Sequence, residues 1–181
     1  MRKSWLKYAI GFIVNFSIRL IPFRPPNVEP IMATLMPFSK KYGYFGGFMF
    51  AFLSIALFDA FTSKLGMWTI ITAVTYGAIG LASAWFFSTR KSGIRNYAAF
   101  AIAGTILYDA ITMTTGPWLF GQTWAETIIG QIPFTALHLA GNIAFAIIMS
   151  PTLYSLVVDN KSLDTDVLIQ KARNILAVRH T

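Results

Sequence analysis

Long apolar segments separated by short polar turns are the feature that most restricts the fold of this chain. Hydrophobic residues make up 55% of the 181 residues and charged residues only 12%, which is too apolar for an ordinary soluble domain. The pattern predicts an all-α integral membrane protein with six transmembrane helices. The predicted spans are residues 5–21, 28–38, 43–62, 68–87, 97–112 and 134–158.

The second of these segments is short for a span. At about 1.5 Å per residue, its roughly eleven to fourteen residues reach about 16–21 Å, less than a hydrocarbon core of about 30 Å. The segment could therefore be re-entrant. Lys40 and Lys41 at its end favour a short span, packed against protein or thinned lipid, that places this basic pair in the cytoplasm.

The distribution of basic residues predicts the orientation of the helices. With six spans, only Arg19, Arg24 and Lys64 of the fifteen lysines and arginines lie on the proposed outer side. This bias places both termini in the cytoplasm, as the positive-inside rule requires. We therefore predict a membrane domain, residues 1–158, and a cytoplasmic tail, residues 159–181. Residues 162–178 of the tail have the pattern of an amphipathic helix.

A ten-residue pattern occurs twice, beginning at Asp59 and again 50 residues later at Asp109. Residues 59–68 and 109–118 both follow Asp-Ala-x-Thr-x3-Gly-x-Trp, and each copy closes a long apolar segment. A carboxylate one turn from the end of a membrane helix is a candidate functional group, and Trp suits the membrane–water interface. Such repeats often frame a substrate site. The alternative is that each Asp pairs with a cation or caps a neighbouring helix.

Most of the unusual polar residues fall on the proposed outer side of the membrane, together with several tryptophans. A mostly apolar, aromatic-lined pocket with a few directed polar groups is what a small-molecule site requires. His138 lies one turn from Asn142, and we expect it either to contact a ligand or to form an interhelical hydrogen bond. The predicted substrate-binding residues are Arg19, Arg24, Asn27, Glu29, Asp59, Trp68, Asp109, Trp118, Trp124 and His138.

Small residues and capping signals predict how some of the helices begin and pack. Small side chains at intervals of three or four residues let membrane helices approach closely. Such stripes are formed by Ala73, Gly77, Gly80 and Ala84 and by Ala136, Ala140 and Ala144. Thr123 and Glu126 fit a capping box, so a short helix is predicted to start there, with Pro133 kinking or restarting the chain.

Several classes of chemistry are not supported by the sequence. Without cysteine, the chain can form no disulfide, thiolate metal site or cysteine nucleophile. It has no glycine-rich phosphate loop, so we do not expect it to hydrolyse nucleotide by itself. His138 and His180 are the only histidines, and no helical zinc motif is present. We expect no enzymatic activity, metal or cofactor, and we interpret the formal charge of +8 as a topology signal rather than as nucleic-acid affinity.

Several short motifs along the chain point to a known family. They are Arg19-Leu-Ile-Pro22, Pro26-Asn27-x-x-Pro30-Ile-Met-Ala33, Lys41-Tyr-Gly43, the helix ends Leu57-Phe-Asp59 and Leu107-Tyr-Asp109, and Ile132-Pro-Phe134-Thr-x3-His138-x3-Asn142. With these motifs the chain resembles the substrate-binding S component of energy-coupling factor (ECF) vitamin transporters. The resemblance covers roughly residues 5–154.

The resemblance implies a six-helix binding protein that captures a vitamin or a related micronutrient at its outer face. It also implies partner subunits, namely an energising T subunit and two cytoplasmic ATPases, and a lid formed by the turn after the first helix. One alternative is a stand-alone proton-coupled transporter or channel, in which Asp59 and Asp109 carry the coupling proton. Another is a membrane scaffold protein of similar architecture.

Overall fold

The computed structural model of the protein describes residues 4–23, 25 and 27–178, and of residues 172 and 175–178 it describes the backbone alone. All regular secondary structure in these residues is helical. The elements are α1 (Trp5–Arg19), α2 (Ile31–Phe61), α3 (Met67–Ser88), α4 (Ile94–Met113), α5 (Thr115–Phe120), α6 (Trp124–Leu153) and α7 (Thr165–Val178), with a π-helical turn at Tyr154–Val158 and a 3-10 turn at Lys161–Leu163.

Four stretches of the described residues are long and apolar enough to cross a membrane. They are Ile31–Phe61, Met67–Ser88, Ile94–Phe120 and Trp124–Val158. Large apolar side chains such as Leu57, Trp85 and Ile148 are exposed on these helices, as expected for a surface that faces lipid rather than water. The all-helical, membrane-compatible architecture predicted from the sequence is confirmed at this level.

The chain reverses direction at Gly43, inside α2. Gly43 has φ 67° and ψ −160°, and its positive φ favours glycine because a Cβ atom would be strained there. Phe38 and Phe50 stack with their ring centroids 4.1 Å apart, whereas a straight helix would separate their Cα atoms by about 18 Å. The predicted segments 28–38 and 43–62 are therefore the two antiparallel arms of one helical hairpin.

The first arm of this hairpin lies at the centre of the bundle. Every residue from 31 to 39 is buried, so the arm packs against protein on all sides and does not face lipid. Pro37 has no N–H, which leaves the carbonyl of Ala33, four residues earlier, without its helical donor. The Ser150 hydroxyl of α6 donates to that carbonyl at 2.8 Å. This hydrogen bond satisfies the freed backbone group and joins the central arm to α6.

The second arm packs against α3 through glycines. A Cβ atom at Gly80 would collide with the carbonyl group of Gly47, and one at Gly77 would lie 2.6 Å from the ring of Phe48. Approach this close is possible only where at least one helix carries no side chain at the crossing. The small-residue stripe predicted for residues 73–84 is therefore confirmed as a packing face.

The helix α6 continues through Pro133 as one element of 30 residues, so the prediction of a separate short helix before Pro133 is wrong. Its start is the predicted capping box, in which Thr123 Oγ1 accepts from the Glu126 N–H at 3.3 Å and Glu126 Oε2 accepts from the Thr123 N–H at 2.8 Å. The alanine stripe predicted to pack on this helix is exposed, so that prediction is wrong. His138 and Asn142 are buried and lie on the packed face instead.

Basic side chains tie together the end of the bundle that holds the start of α1 and the last turns of α3 and α6. Lys7 is buried and forms an ion pair of 2.7 Å with Asp164 of the tail. Lys40 donates to two carbonyls at the end of α3, at 2.7 and 3.4 Å, where a cation suits the helix dipole. Lys41 donates to Asp159 at 2.5 Å, and this hydrogen bond, with the charge of Lys41, lowers the pKa of Asp159.

Candidate functional site

A cavity of about 160 Å³ opens at the other end of the bundle, between α1, α2, α3, α4 and α6. We refer to it as the first cavity. Its polar wall is formed by Arg19, Asn27, Glu29, Asp59 and His138. Its aromatic wall is formed by Trp68, Tyr76, Tyr108 and Phe134. A space of this order accommodates about one aromatic ring.

Arg19, in the last turn of α1, is held in the wall by three different groups. Its Nη1 donates to the Ser54 carbonyl of α2 at 2.9 Å. Its Cζ lies 3.8 Å from the centroid of the Phe58 ring, which is a cation–π contact. Its Nε lies 3.7 Å from Glu29 Oε2. The guanidinium is therefore fixed in place and presents a positive charge to the cavity beside the Glu29 carboxylate.

The turn between α1 and α2 forms the mouth of the first cavity. Asn27 has a φ of 64°, a left-handed conformation that Asn tolerates better than most residues. Phe23, at the tip of the turn, also has a positive φ, 61°, and is fully exposed. Of the three predicted site residues in this turn, Asn27 and Glu29 line the cavity, and Arg24 lies outside the described residues.

Asp109 and His138 form a buried pair immediately behind the cavity wall. The Nδ1 atom of His138 lies 2.7 Å from Asp109 Oδ1, and the Thr135 hydroxyl donates to Asp109 Oδ2 at 2.7 Å. Gln131 in turn donates to Thr135 at 2.9 Å. Asp109 is only 2% exposed and does not line the cavity, so it acts on the site by positioning His138.

The Asp109 carboxylate also determines which nitrogen of His138 carries the proton. An ionised carboxylate only accepts hydrogen bonds, so the Nδ1 atom of His138 must be the donor. The Nε2 atom, which lies 3.3 Å from the Tyr76 hydroxyl, is then the acceptor in the neutral ring. The Asp109 carboxylate, which lies behind the cavity wall, thus sets the hydrogen-bonding character of the imidazole that lines the cavity.

The aromatic wall consists mainly of a Tyr pair and the rings around it. The rings of Tyr76 and Tyr108 lie 4.2 Å apart at an angle of 36°. Tyr108 and Phe134 each meet the His138 ring edge-on, at 5.5 and 5.8 Å. These contacts hold flat apolar faces around one space, which is the arrangement that stacks a planar ligand.

The two copies of the sequence repeat share local structure but hold their Asp residues differently. In each copy, the Thr hydroxyl three residues after the Asp donates to the carbonyl of the residue that precedes the Asp. Thr62 donates to Phe58 at 2.9 Å, and Thr112 donates to Tyr108 at 3.0 Å. The two Asp residues have different partners. Asp59 accepts from Thr69 at 2.7 Å and lines the cavity, whereas Asp109 contacts Thr135 and His138 behind the cavity wall.

The tryptophans of the predicted site do not all meet at the first cavity. Trp68 lines it. Trp118 and Trp124 are 84% and 53% exposed and lie outside its wall. In the second repeat copy, the expected turn is replaced by the short helix α5, Thr115–Phe120. Trp118 therefore does not occupy a position equivalent to that of Trp68.

Sequence reasoning missed several residues of the first cavity. Thr72, Tyr76, Tyr108 and Phe134 all contribute to its wall. A Tyr hydroxyl deep in an apolar helix needs a hydrogen-bond partner. This requirement could have marked Tyr76 as a candidate site residue. Asn142, expected to join helices, does so by donating to Thr105 Oγ1 at 2.7 Å.

Over the residues that the structure describes, the fold and the first cavity define the protein as an all-helical one with four helices long and apolar enough to cross a membrane and a polar and aromatic cavity at one end. Among the described residues, no group of three or more His, Asp or Glu side chains is arranged to hold a metal ion. Comparisons with protein-family models, with curated proteins and with solved structures gave no match.

Proposed function

We propose that this protein is the substrate-binding S component of an ECF-type transporter in a prokaryotic plasma membrane. In this role it captures a vitamin or a related micronutrient at the outer face, and an energising T subunit with two cytoplasmic ATPases drives uptake. The observation that carries the proposal is the first cavity, in which Arg19, Asp59 and His138 surround a space walled by aromatic rings. Such a site is built to bind a small organic molecule.

The orientation follows from the charges at the two ends of the bundle. Lys7, Lys40 and Lys41 cluster at the end opposite the cavity, and basic residues favour the cytoplasmic side. With the two arms of α2 counted separately, α1, α3, α4 and α6 complete six crossings. Both termini are then cytoplasmic, and the first cavity faces outward.

The test is to identify what the purified protein binds. Small molecules released from detergent-purified protein are analysed by mass spectrometry, and the same protein is screened for thermal stabilisation by vitamins and their precursors. A ligand at 100 times its Kd adds about 2.7 kcal/mol to the free energy of unfolding. One released or stabilising compound, lost in Asp59→Asn, is the expected result. An empty protein that no compound stabilises would refute the binding function.

The buried Asp109–His138 pair favours one second candidate, a stand-alone proton-coupled transporter. A carboxylate 2.7 Å from an imidazole, with Tyr76 on the far nitrogen, is an arrangement that can pass a proton. Uptake by the protein in a host without the ATPases, driven by a pH gradient, would support this candidate over the S component. Dependence of uptake on the ATPases would exclude it.

A further inference from the structure

A second cavity, of about 290 Å³, lies directly beside the first one. It is bounded by the start of α3, the end of α4, the short helix α5 and the start of α6. Trp68 and Phe134 line both cavities, so these two rings form a shared wall. Of the predicted substrate-binding residues that the structure describes, Trp68 alone lines this second cavity.

The polar wall of the second cavity offers mainly uncharged hydrogen-bonding groups and one negative charge. Its polar groups are the side chains of Thr112, Thr115, Gln122, Thr127 and Gln131 and a single acid, Glu126. Glu126 is already used at the start of α6, where it accepts from the N–H and the hydroxyl of Thr123, both at 2.8 Å. The first cavity, by contrast, has both signs of charge in its wall.

The threonine hydroxyls of the second cavity point to the groups it would accept. Thr112, Thr115 and Thr127 donate their hydroxyl protons to backbone carbonyls, at 3.0, 2.6 and 3.0 Å. Their oxygen lone pairs remain as acceptors. The wall therefore suits a group that donates hydrogen bonds, such as a hydroxyl or an amide N–H.

A chain of side-chain hydrogen bonds connects the two cavities. Gln131, in the wall of the second cavity, donates to Thr135, which donates to Asp109. Asp109 accepts from His138, which lies in the wall of the first cavity. A ligand contact at Gln131 is thus three hydrogen bonds from a ligand contact at His138, and the two cavities share one polar network.

We propose that the two cavities together bind one two-part molecule, a flat ring carrying an uncharged side group with hydroxyl or amide donors. The ring occupies the first cavity, where the aromatic wall encloses space for about one ring, and the side group occupies the second. This inference rests on the proposed binding function and specifies its substrate class. Compounds of this class include a heterocycle bearing a sugar or a polyhydroxylated chain.

Gly130 provides a substitution that fills the second cavity selectively. It lines that cavity, and a Cβ atom added to it would meet no atom within 4 Å. Leucine at this helical position also has a better helix propensity than glycine. Gly130→Leu should therefore fold, occupy the space of the side group and leave the first cavity intact. Gly130→Ala, which adds one methyl group, is the matched control.

The test compares ring compounds with and without a hydroxylated side group. Uracil and uridine, adenine and adenosine, and nicotinamide and its riboside are titrated by thermal shift against the three proteins. We expect one two-part compound to bind the wild type at least tenfold more tightly than its bare ring. Gly130→Leu should remove that tenfold difference and retain ring binding, whereas Gly130→Ala should keep most of it.

Cysteine labelling gives an independent readout, because the chain contains no cysteine. In Gly130→Cys, the two-part compound should slow the reaction with a maleimide, and the bare ring should not. Equal affinity for ring and two-part compound, or a difference that survives Gly130→Leu, would overturn the inference while leaving the binding function standing. If no compound binds and mass spectrometry finds no released molecule, the binding function fails and the inference fails with it.

Discussion

Replacing Asp109 by Asn should change the proton position on His138 while preserving the fold. In Asp109→Asn, the Asn oxygen can still accept from Thr135. The Asn amide N–H then faces the Nδ1 atom of His138, which must become the acceptor, so the ring proton moves to Nε2. That nitrogen now donates to the Tyr76 hydroxyl instead of accepting from it, so Thr135, His138 and Tyr76 each keep a hydrogen-bond partner.

The expected loss of stability follows from the two hydrogen bonds that change character. Hydrogen bonds to a charged group contribute about 1.5–3 kcal/mol and neutral ones about 0.5–1.5 kcal/mol. Two such replacements lower the free energy of unfolding by about 2 kcal/mol. Asp109→Leu, which leaves Thr135 and His138 without an acceptor, should lower it by a further 2 kcal/mol or more, at about 1–3 kcal/mol for each unsatisfied group.

Nitrogen-15 NMR of the histidine side chain measures this change directly. The second histidine, His180, is replaced by Gln in all samples so that one imidazole remains. The wild type should show a protonated Nδ1, and Asp109→Asn a protonated Nε2 together with weaker ligand binding. The same tautomer in both proteins, or equal stability of the Asn and Leu variants, would refute the reasoning.

Three further substitutions test the contact between α2 and α3, the hydrogen bond from Ser150 to the central arm, and the Lys41–Asp159 pair. Gly80→Val should destabilise the protein by about 2 kcal/mol or more through overpacking at the helix crossing, with the exposed Ala78→Val as control in thermal unfolding. Ser150→Ala removes the donor to the central arm and should lower the unfolding free energy by about 1–3 kcal/mol; no loss would refute this role. Because Lys41 lowers the pKa of Asp159, this pair stabilises the fold above the ordinary value of 3.8 and less as the pH falls below it. Lys41→Gln should therefore lose stability at neutral pH but not in acid.

The apolar segments and the caps could be predicted because they follow from local chemistry. Long apolar runs dictate helices, and the Thr123 and Glu126 pair dictates where α6 begins. The face on which a helix packs is a different matter. Periodicity shows which residues share a side, so the alanines of α6 were grouped correctly. Periodicity does not show which side is buried. The buried side of α6 is the one that carries His138 and Asn142, whose polar groups need hydrogen-bond partners inside the protein.

The hairpin at Gly43 shows a second limit of sequence reasoning. A short apolar segment has the same sequence pattern whether lipid or protein surrounds it. The length of residues 28–38 was therefore compatible with both a re-entrant segment and a short span. The contacts of Phe38 with Phe50 and of Ser150 with Ala33 decide its position. These partners are distant in sequence, and only the assembled bundle brings them together.

The site shows the same division between local and long-range information. Charged residues are rare in membrane segments, so Arg19, Asp59 and His138 could be singled out before the structure was known. Aromatic residues are common there, so Tyr76 and Phe134 carried no comparable signal. The repeat predicted two equivalent Asp residues, but Asp109 contacts His138 across the interface with α6. Because His138 lies outside the repeat, the repeat pattern could not predict this contact.

The buried central arm also has a consequence for how the protein is made. Residues 31–39 present no surface to lipid, and the carbonyl that Pro37 frees finds its donor only in α6, more than a hundred residues later in synthesis. The arm is therefore synthesised before the residues that will enclose it exist. We expect it to be protected from proteases and chemical probes only late in biogenesis, when α6 closes around it.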